Sequence, residues 1–290
     1  MVHLLDQVSS RDVAILVALT AALTLSPAAN ADLVVHYTFE ETPGSTVIDS
    51  ASTDGTPTPV DDGTLLGGAI QVAGGSPVNG GAQALSLVAQ GDGVDAGNGQ
   101  DYLQNVPGAT FAAWIKPASS LPDREHFLYR SSQADGGRSR YMLAVRGDEA
   151  PEDTGTLAAF PRKIDNGNVA NLYSTSQVAL GEWQHVALVL DYWNAQYAFY
   201  IDGADAGSGS IDNWTTGSNC SDLVTAVNGV GQDGSGGRTF LGLMDDVRVY
   251  NHALGLPEIQ ELVPEPSTFG LTALGLLGLA GLGRRYRRCK

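Results

Sequence analysis

The chain has 290 residues, 36 of them glycine and two cysteine, and a formal net charge of −16. Two cysteines exclude a disulfide framework, so the fold must rest on an apolar core, and a chain of this length can bury a sizeable one. The negative charge excludes nucleic acid and anionic lipid as natural partners of the body.

The first element is an apolar run from Val13 to Leu25 ("VAILVALTAALTL"), followed by "SPAANA", in which Ala29 and Ala31 stand in an A-x-A arrangement before Asp32. This pattern predicts a secretory signal peptide over residues 1–31. Its leading segment departs from the usual form, because Arg11 is opposed by Asp6 and Asp12 and there is no positive excess.

The body is predicted to span residues 32–263. Residues 32–266 carry ten basic and thirty acidic side chains, a net charge of −20. Glycine with adjacent Asp and Asn cuts this region into short β-prone runs, and no long stretch shows helical periodicity. Predicted strands include 33–39, 109–117, 126–132, 140–147, 156–161 and 170–177, each bounded by turn residues. The clearest hairpin joins 183–192 to 195–203 across Trp193 and Asn194, and a late strand covers 239–251. After it, "LGLPEIQEL" (254–262) places Pro257 and Glu258 where the first turn of a short helix accepts them. The pattern is an all-β sandwich with one terminal helix.

The chain ends in Pro264-Glu265-Pro266, an uncharged apolar run over 269–283, and Arg284, Arg285, Arg287, Arg288 and Lys290. As a helix the run would reach about 22 Å, short against a hydrocarbon core of about 30 Å. The basic cluster would hold the C-terminus on the cytoplasmic side. This order of motif, apolar segment and basic tail resembles the PEP-CTERM sorting signal, here over 264–290. The resemblance implies recognition by an exosortase during transient membrane insertion. It also implies delivery to the envelope, cell surface or extracellular matrix of an outer-membrane-bearing bacterium. An ordinary membrane anchor is the alternative.

Four body segments resemble, in order, the LamG-like jelly roll of the concanavalin A-like lectin and glucanase superfamily. They are Tyr37-Thr38-Phe39-Glu40 with Asp49-Ser50-Ala51; Phe111 to Pro117; Trp183-Gln184-His185-Val186-Ala187 leading to Tyr200-Ile201-Asp202-Gly203; and Asp245 to Asn251 closed by Ala253-Leu254 and Glu258-Ile259. The resemblance implies a two-sheet antiparallel jelly-roll sandwich. That fold hosts lectins, enzymes and spacers alike, so function must be argued from the site.

The family often carries a structural calcium, which takes six to eight oxygens. By position the resemblance names Glu40, Asp49 and Asp246, with Asp54 where an Asn is usual. For Asp49 and Asp54 the competing reading is a turn carboxylate that binds nearby backbone amides. The E-x-D-x-x-E or E-x-D-x-E pattern that supplies the acid and nucleophile in laminarinase-like relatives does not occur, and a glycosidase needs two facing carboxylates. The acidic stretch "GDEAPEDTG" (147–155) reads as a solvated loop, and no catalytic residue is named.

His185 reads as a packed residue, while His36, His126 and His252 lack metal spacing. Cys220 lacks a partner that marks a nucleophile, and "GQDGSGG" (231–237) lacks the lysine of a phosphate loop. Asn213-Trp214-Thr215 matches the glycosylation triplet, a coincidence in a bacterial protein. Trp193 and Trp214, in turn-like settings rich in Asp and Asn, are the candidates for stacking on sugar, or else edge residues that cover the sandwich. Trp114 and Trp183 occupy strand motifs and are expected in the core. The expected function is that of an exported, non-catalytic protein that binds polysaccharide or surface glycoprotein. A secreted glycan-active enzyme and a matrix component without a defined ligand are the alternatives.

Overall fold

The structure, a computed structural model, describes residues 33–51, 62–77, 81–98, 103, 105–133, 139–149, 151–161, 170–211, 214, 216–217, 226–232 and 238–263. The predicted signal peptide, Asp54, Asn213, Cys220, Pro264, Glu265, Pro266 and the apolar run 269–283 lie outside the described residues. Among those described, no helix is long and apolar enough to cross a membrane.

The strands are β1 (Leu33–Tyr37), β2 (Thr46–Val47), β3 (Gly63–Leu66), β4 (Ile70–Ala73), β5 (Gln83–Leu87), β6 (Gly93–Asn98), β7 (Gly108–Pro117) and β8 (Glu125–Gln133). They continue as β9 (Ser139–Arg146), β10 (Thr156–Ala159), β11 (Leu172–Gln177), β12 (Gln184–Asp191), β13 (Gln196–Ile201), β14 (Ala204–Ser210), β15 (Ala226–Val230) and β16 (Gly242–Tyr250). One helix, α1 (Leu256–Glu261), follows. The first sheet runs β14-β13-β12-β7-β16-β5-β4 with β1 also on β16, and the second runs β11-β10-β9-β8-β15-β6-β3-β2. All strand pairs are antiparallel, the jelly-roll sandwich that the sequence predicts.

Alternation along the central strands builds the core. Phe111, Ala113 and Ile115 of β7 and Val186, Leu188 and Leu190 of β12 point between the sheets and meet Leu128, Tyr129, Tyr141, Leu143 and Val145 of the second sheet. Tyr141 joins the two layers directly. Its hydroxyl accepts from the Phe111 amide (2.7 Å) and donates to the Leu188 carbonyl (2.5 Å). Burial pushes its phenol well above its ordinary value, so it remains a donor.

The outer face of the first sheet is also covered. Ala112 and Ala187 are buried there because small side chains leave room for the C-terminal segment. Thr110 donates its hydroxyl to the His252 carbonyl and accepts from the Leu254 amide, both at 2.9 Å. A Cβ on Gly108 would come within 2.7 Å of the Ala253 nitrogen, so only glycine permits this close crossing. In α1, Glu258 accepts from the Gly255 amide at 2.7 Å and Ile259 is fully buried. The sandwich is stitched at one side, where the Thr175 hydroxyl of β11 donates to the Ala206 carbonyl of β14 at 3.1 Å.

Candidate functional site

The three carboxylates expected to bind calcium are each held by protein donors. Glu40 Oε1 accepts from the Ala82 and Gln83 amides at 2.9 and 3.1 Å. Asp49 is buried, and its Oδ1 accepts from the His36 amide (2.7 Å) and from the Ala51 amide two residues on (2.9 Å), the turn role weighed for it.

Asp246 sits at a bulge of β16 with φ 49°. Its Oδ1 faces His36 Nε2 at 2.7 Å and accepts from both Nε and Nη2 of Arg248 at 3.1 and 3.0 Å. Among the described residues no group of three or more His, Cys, Asp or Glu is placed to hold a metal ion. A cation already occupies the Asp246 oxygen, namely the Arg248 guanidinium, and the three residues do not fit a single calcium centre.

Strand register explains this cluster. Across β1, β16, β7, β12, β13 and β14, one outward row reads His36, Arg248, Ala112, Ala187, Tyr200 and Asp205. Beside it, Trp114 lies between His185 and Asp245, with the Trp114 and His185 rings edge to face at 5.7 Å. Burial opposes ionisation of Asp246, but the His36 hydrogen bond and the Arg248 charge outweigh it and hold its carboxyl below the ordinary value. Neighbouring Asp245 goes the other way, raised chiefly by burial despite the Ser76 amide it accepts at 2.7 Å.

His185 is buried, and that burial lowers its pKa to about 4, with Asp246 raising it and Arg248 lowering it further. The unfolded chain therefore takes up a proton near pH 6.5 that the folded chain refuses until about pH 4. Stability is complete above pH 6.5 and should fall by about 3 kcal/mol as pH drops through that window. Urea unfolding of wild type and His185→Gln at pH 7.5, 6 and 4.5 checks this. The variant should lose less stability on acidification, and parallel losses would refute the assignment.

The tryptophans separate clearly. Trp214 stacks on Tyr192 at 4.9 Å and 17° and packs against the core, so it covers the sandwich edge. Trp193 is 51% exposed in the turn between β12 and β13. Trp114 is buried as expected, whereas Trp183 is only half-buried ahead of β12. His185 is packed as expected, its amide donating to Asp202 Oδ1 at 2.9 Å.

A groove of about 490 Å³ opens on the outer face of the first sheet, lined by Val189, Asp191, Gln196, Tyr200, Asp205 and Ser208, with Ala253 to Gly255 as its other wall. Trp193 stands in the turn that joins two of these residues, Asp191 and Gln196, which face each other in the hairpin register. Asp191 accepts from the Asn194 amide and side chain at 2.9 and 2.7 Å, and Asp205 from the Gly207 amide and Ser208 hydroxyl at 2.7 and 2.9 Å. A carboxylate offers about four acceptor positions, so both can still receive hydroxyl donors. Burial, aided by Asp205, raises the Tyr200 phenol and keeps its proton available. The hairpin pattern places Tyr200 opposite Phe199 in sequence alternation. The pairing of Tyr200 with Asp205 depends on β14, whose "ADAGSGS" carries no strand signal.

Comparisons with known proteins agree with this fold. Residues 89–260 match the family model of the concanavalin A-like lectin/glucanases superfamily, and residues 262–288 match the PEP-CTERM protein-sorting motif. Mouse (Mus musculus) usherin is 31% identical over 86 residues, which is 30% of this chain and 2% of usherin. The chain thus spans about 2% of the length of that curated relative.

Among solved structures, domain 4 of AbnA, a GH43 extracellular arabinanase from Geobacillus stearothermophilus in complex with arabinotriose, matches with TM-score 0.50 and 19% identity. The match covers 81% of this chain and 99% of that one. Trypanosoma rangeli sialidase in complex with the inhibitor DANA matches with TM-score 0.54 and 16% identity, covering 79% of this chain and 32% of that one. At these identities the likeness is one of fold. The sorting motif implies exosortase processing and indicates export and cell-surface targeting in Gram-negative bacteria. With its two antiparallel sheets and the family match over residues 89–260, the chain belongs to the concanavalin A-like lectin/glucanases superfamily.

Proposed function

We propose that this chain is a non-catalytic surface or matrix protein that binds a polysaccharide or surface glycoprotein through the groove beside Trp193. The observation that carries the reading is a groove lined by two carboxylate acceptors, serine hydroxyls and a protonated phenol, with an exposed indole in the turn that joins two of its lining residues. Sugars present apolar ring faces to aromatic side chains and hydroxyls to polar groups, and this groove offers both. Support also comes from the arabinanase domain, a relative in fold whose structure holds an arabino-oligosaccharide.

A glycan array probed with the purified full chain, with and without calcium, tests the proposal. At least one glycan should bind, and Trp193→Ala should weaken it roughly tenfold, the loss of a stacking contact of about 1.4 kcal/mol. No binding in either condition by protein shown to be folded, or equal binding by the variant, would overturn it. The presence of Asp191 and Asp205 in one groove gives a glycanase reading a foothold among the described residues. Both oxygens of each are already anchored to turn donors, which favours fixed acceptors over a mobile acid and nucleophile. Release of reducing ends from a bound glycan would decide for hydrolysis.

A further inference from the structure

The opposite side of the sandwich has a different chemistry. Residues 124–163 carry seven basic and six acidic side chains, whereas the whole of 32–266 carries ten and thirty. Seven of the ten basic residues of an acidic body therefore fall within this stretch of sequence.

On the outer face of the second sheet Arg130, Arg146 and Arg238 meet aromatic rings. Register aligns Phe127, Ala144, Ala158 and Tyr173 in one row across β8, β9, β10 and β11. Phe127, Met142, Ala144 and Phe160 form an apolar cluster separate from the main core. The guanidinium carbons of Arg130 and Arg238 lie 6.0 and 5.8 Å from the Phe127 ring, and that of Arg146 lies 5.2 Å from the Tyr173 ring. Tyr173 also meets Phe160 edge to face at 6.0 Å.

The local acids do not match this charge. Glu125 divides its oxygens between Arg238 (3.0 Å) and Arg124 (3.4 Å), and Asp153 pairs with Arg146. Asp95 lies on the Arg130 row two strands away, across Gly229. Among the described residues these four arginines thus face three carboxylates, and Arg124 (62%) and Arg238 (57%) share a single one.

We propose that this face is a second binding surface, distinct from the groove, and that its ligand is a carboxylate-bearing polysaccharide of the uronic acid class. Guanidinium groups bind carboxylates through paired N–H donors. The rings back the guanidinium groups, of which Arg238 is the most exposed of the three, and Tyr173, 38% exposed, is available to a sugar ring. The acidic remainder of the body does not forbid a polyanion. Charges beyond about 8 Å are screened at physiological ionic strength, and the arginines at the contact decide the local field.

The test is titration of the purified full chain with polygalacturonate, in parallel with its fully methyl-esterified form, which keeps the backbone and removes the charge. Binding to the acid form alone, weakening as salt rises, is expected. The double variant Arg130→Gln/Arg238→Gln should bind at least tenfold more weakly, with partial retention in Arg238→Lys and no change in Lys116→Gln, a basic position on the other sheet. If the double variant melts early, Arg238→Gln alone is read, since that side chain stands largely in solvent.

Equal binding to the ester, or undiminished binding by the arginine variants, overturns the proposal. So does self-association that the same variants abolish without any uronate binding, because the acidic surface of a second copy would then be the occupant. Trp193→Ala should leave uronate binding intact, so failure of the groove reading and failure of this one are distinguishable.

Discussion

Replacing Asp246 with alanine is expected to destabilise the protein by about 3–5 kcal/mol, the cost of leaving a largely buried cation without its partner. Arg248 would lose both contacts to Oδ1, and His36 the carboxylate it faces at 2.7 Å. Alanine also fits the φ of 49° poorly, whereas asparagine tolerates it. Asp246→Asn should therefore cost less than alanine, and the difference isolates backbone strain and acceptor geometry from charge.

A double variant, Asp246→Asn with Arg248→Met, should be more stable than the sum of its single changes predicts, because it removes the orphaned cation together with its partner. The carboxyl's pKa is depressed in the fold, so its contribution is present above the unfolded value of 3.8 and disappears as pH falls through the lower folded value. Urea unfolding at pH 7 and at pH 3 measures both effects. A change below 1 kcal/mol in Asp246→Ala at pH 7 would show that the clasp does not support the sheet.

Tyr141→Phe is expected to cost about 2–3 kcal/mol, although it deletes one oxygen. The ring contacts survive, since Tyr141 meets Tyr129 edge to face at 5.8 Å and Tyr129 stacks on Phe111 at 5.2 Å. What is lost is the bridge between the layers, with a buried amide donor at Phe111 and a buried carbonyl at Leu188 left to find other partners. Unsatisfied buried groups cost about 1–3 kcal/mol each, and partial relaxation recovers some of that. For a domain of this size the melting temperature should fall by roughly 4–10 °C, measurable by circular dichroism. An unchanged melting temperature would mean that β7 and β12 close the gap with a direct ladder bond.

How far the fold was legible depends on the element. β1, β7, β8, β9, β12, β13 and β16 alternate apolar and polar or run apolar over several residues, and each emerged near its observed bounds. α1 emerged because Pro257 and Glu258 mark a helix start. β2, β3, β4 and β5 were not among the predicted strands, being short runs of two to five residues, nor were β6 ("GVDAGN"), β14 ("ADAGSGS") and β15 ("AVNGV"), since glycine-rich runs have little intrinsic strand preference and are held in place by neighbours.

The site divides along the same line. The superfamily, the sorting signal, the acidity of the body and the two candidate tryptophans were legible in the sequence alone, because each is written in composition or local pattern. It could not tell Trp193 from Trp214, which share turn-like neighbours of the same composition. Tertiary structure decided that Trp214 lies on Tyr192 and Trp193 faces outward. It also decided that Asp246 faces an arginine, that Tyr200 stands beside Asp205, and that Arg130 and Arg238 flank one phenyl ring. Some of these encounters are local and others, such as Arg238 with Phe127, join distant parts of the chain. All are fixed by register or by a bulge, and a one-residue slip in pairing would turn a strand's side chains to the opposite face.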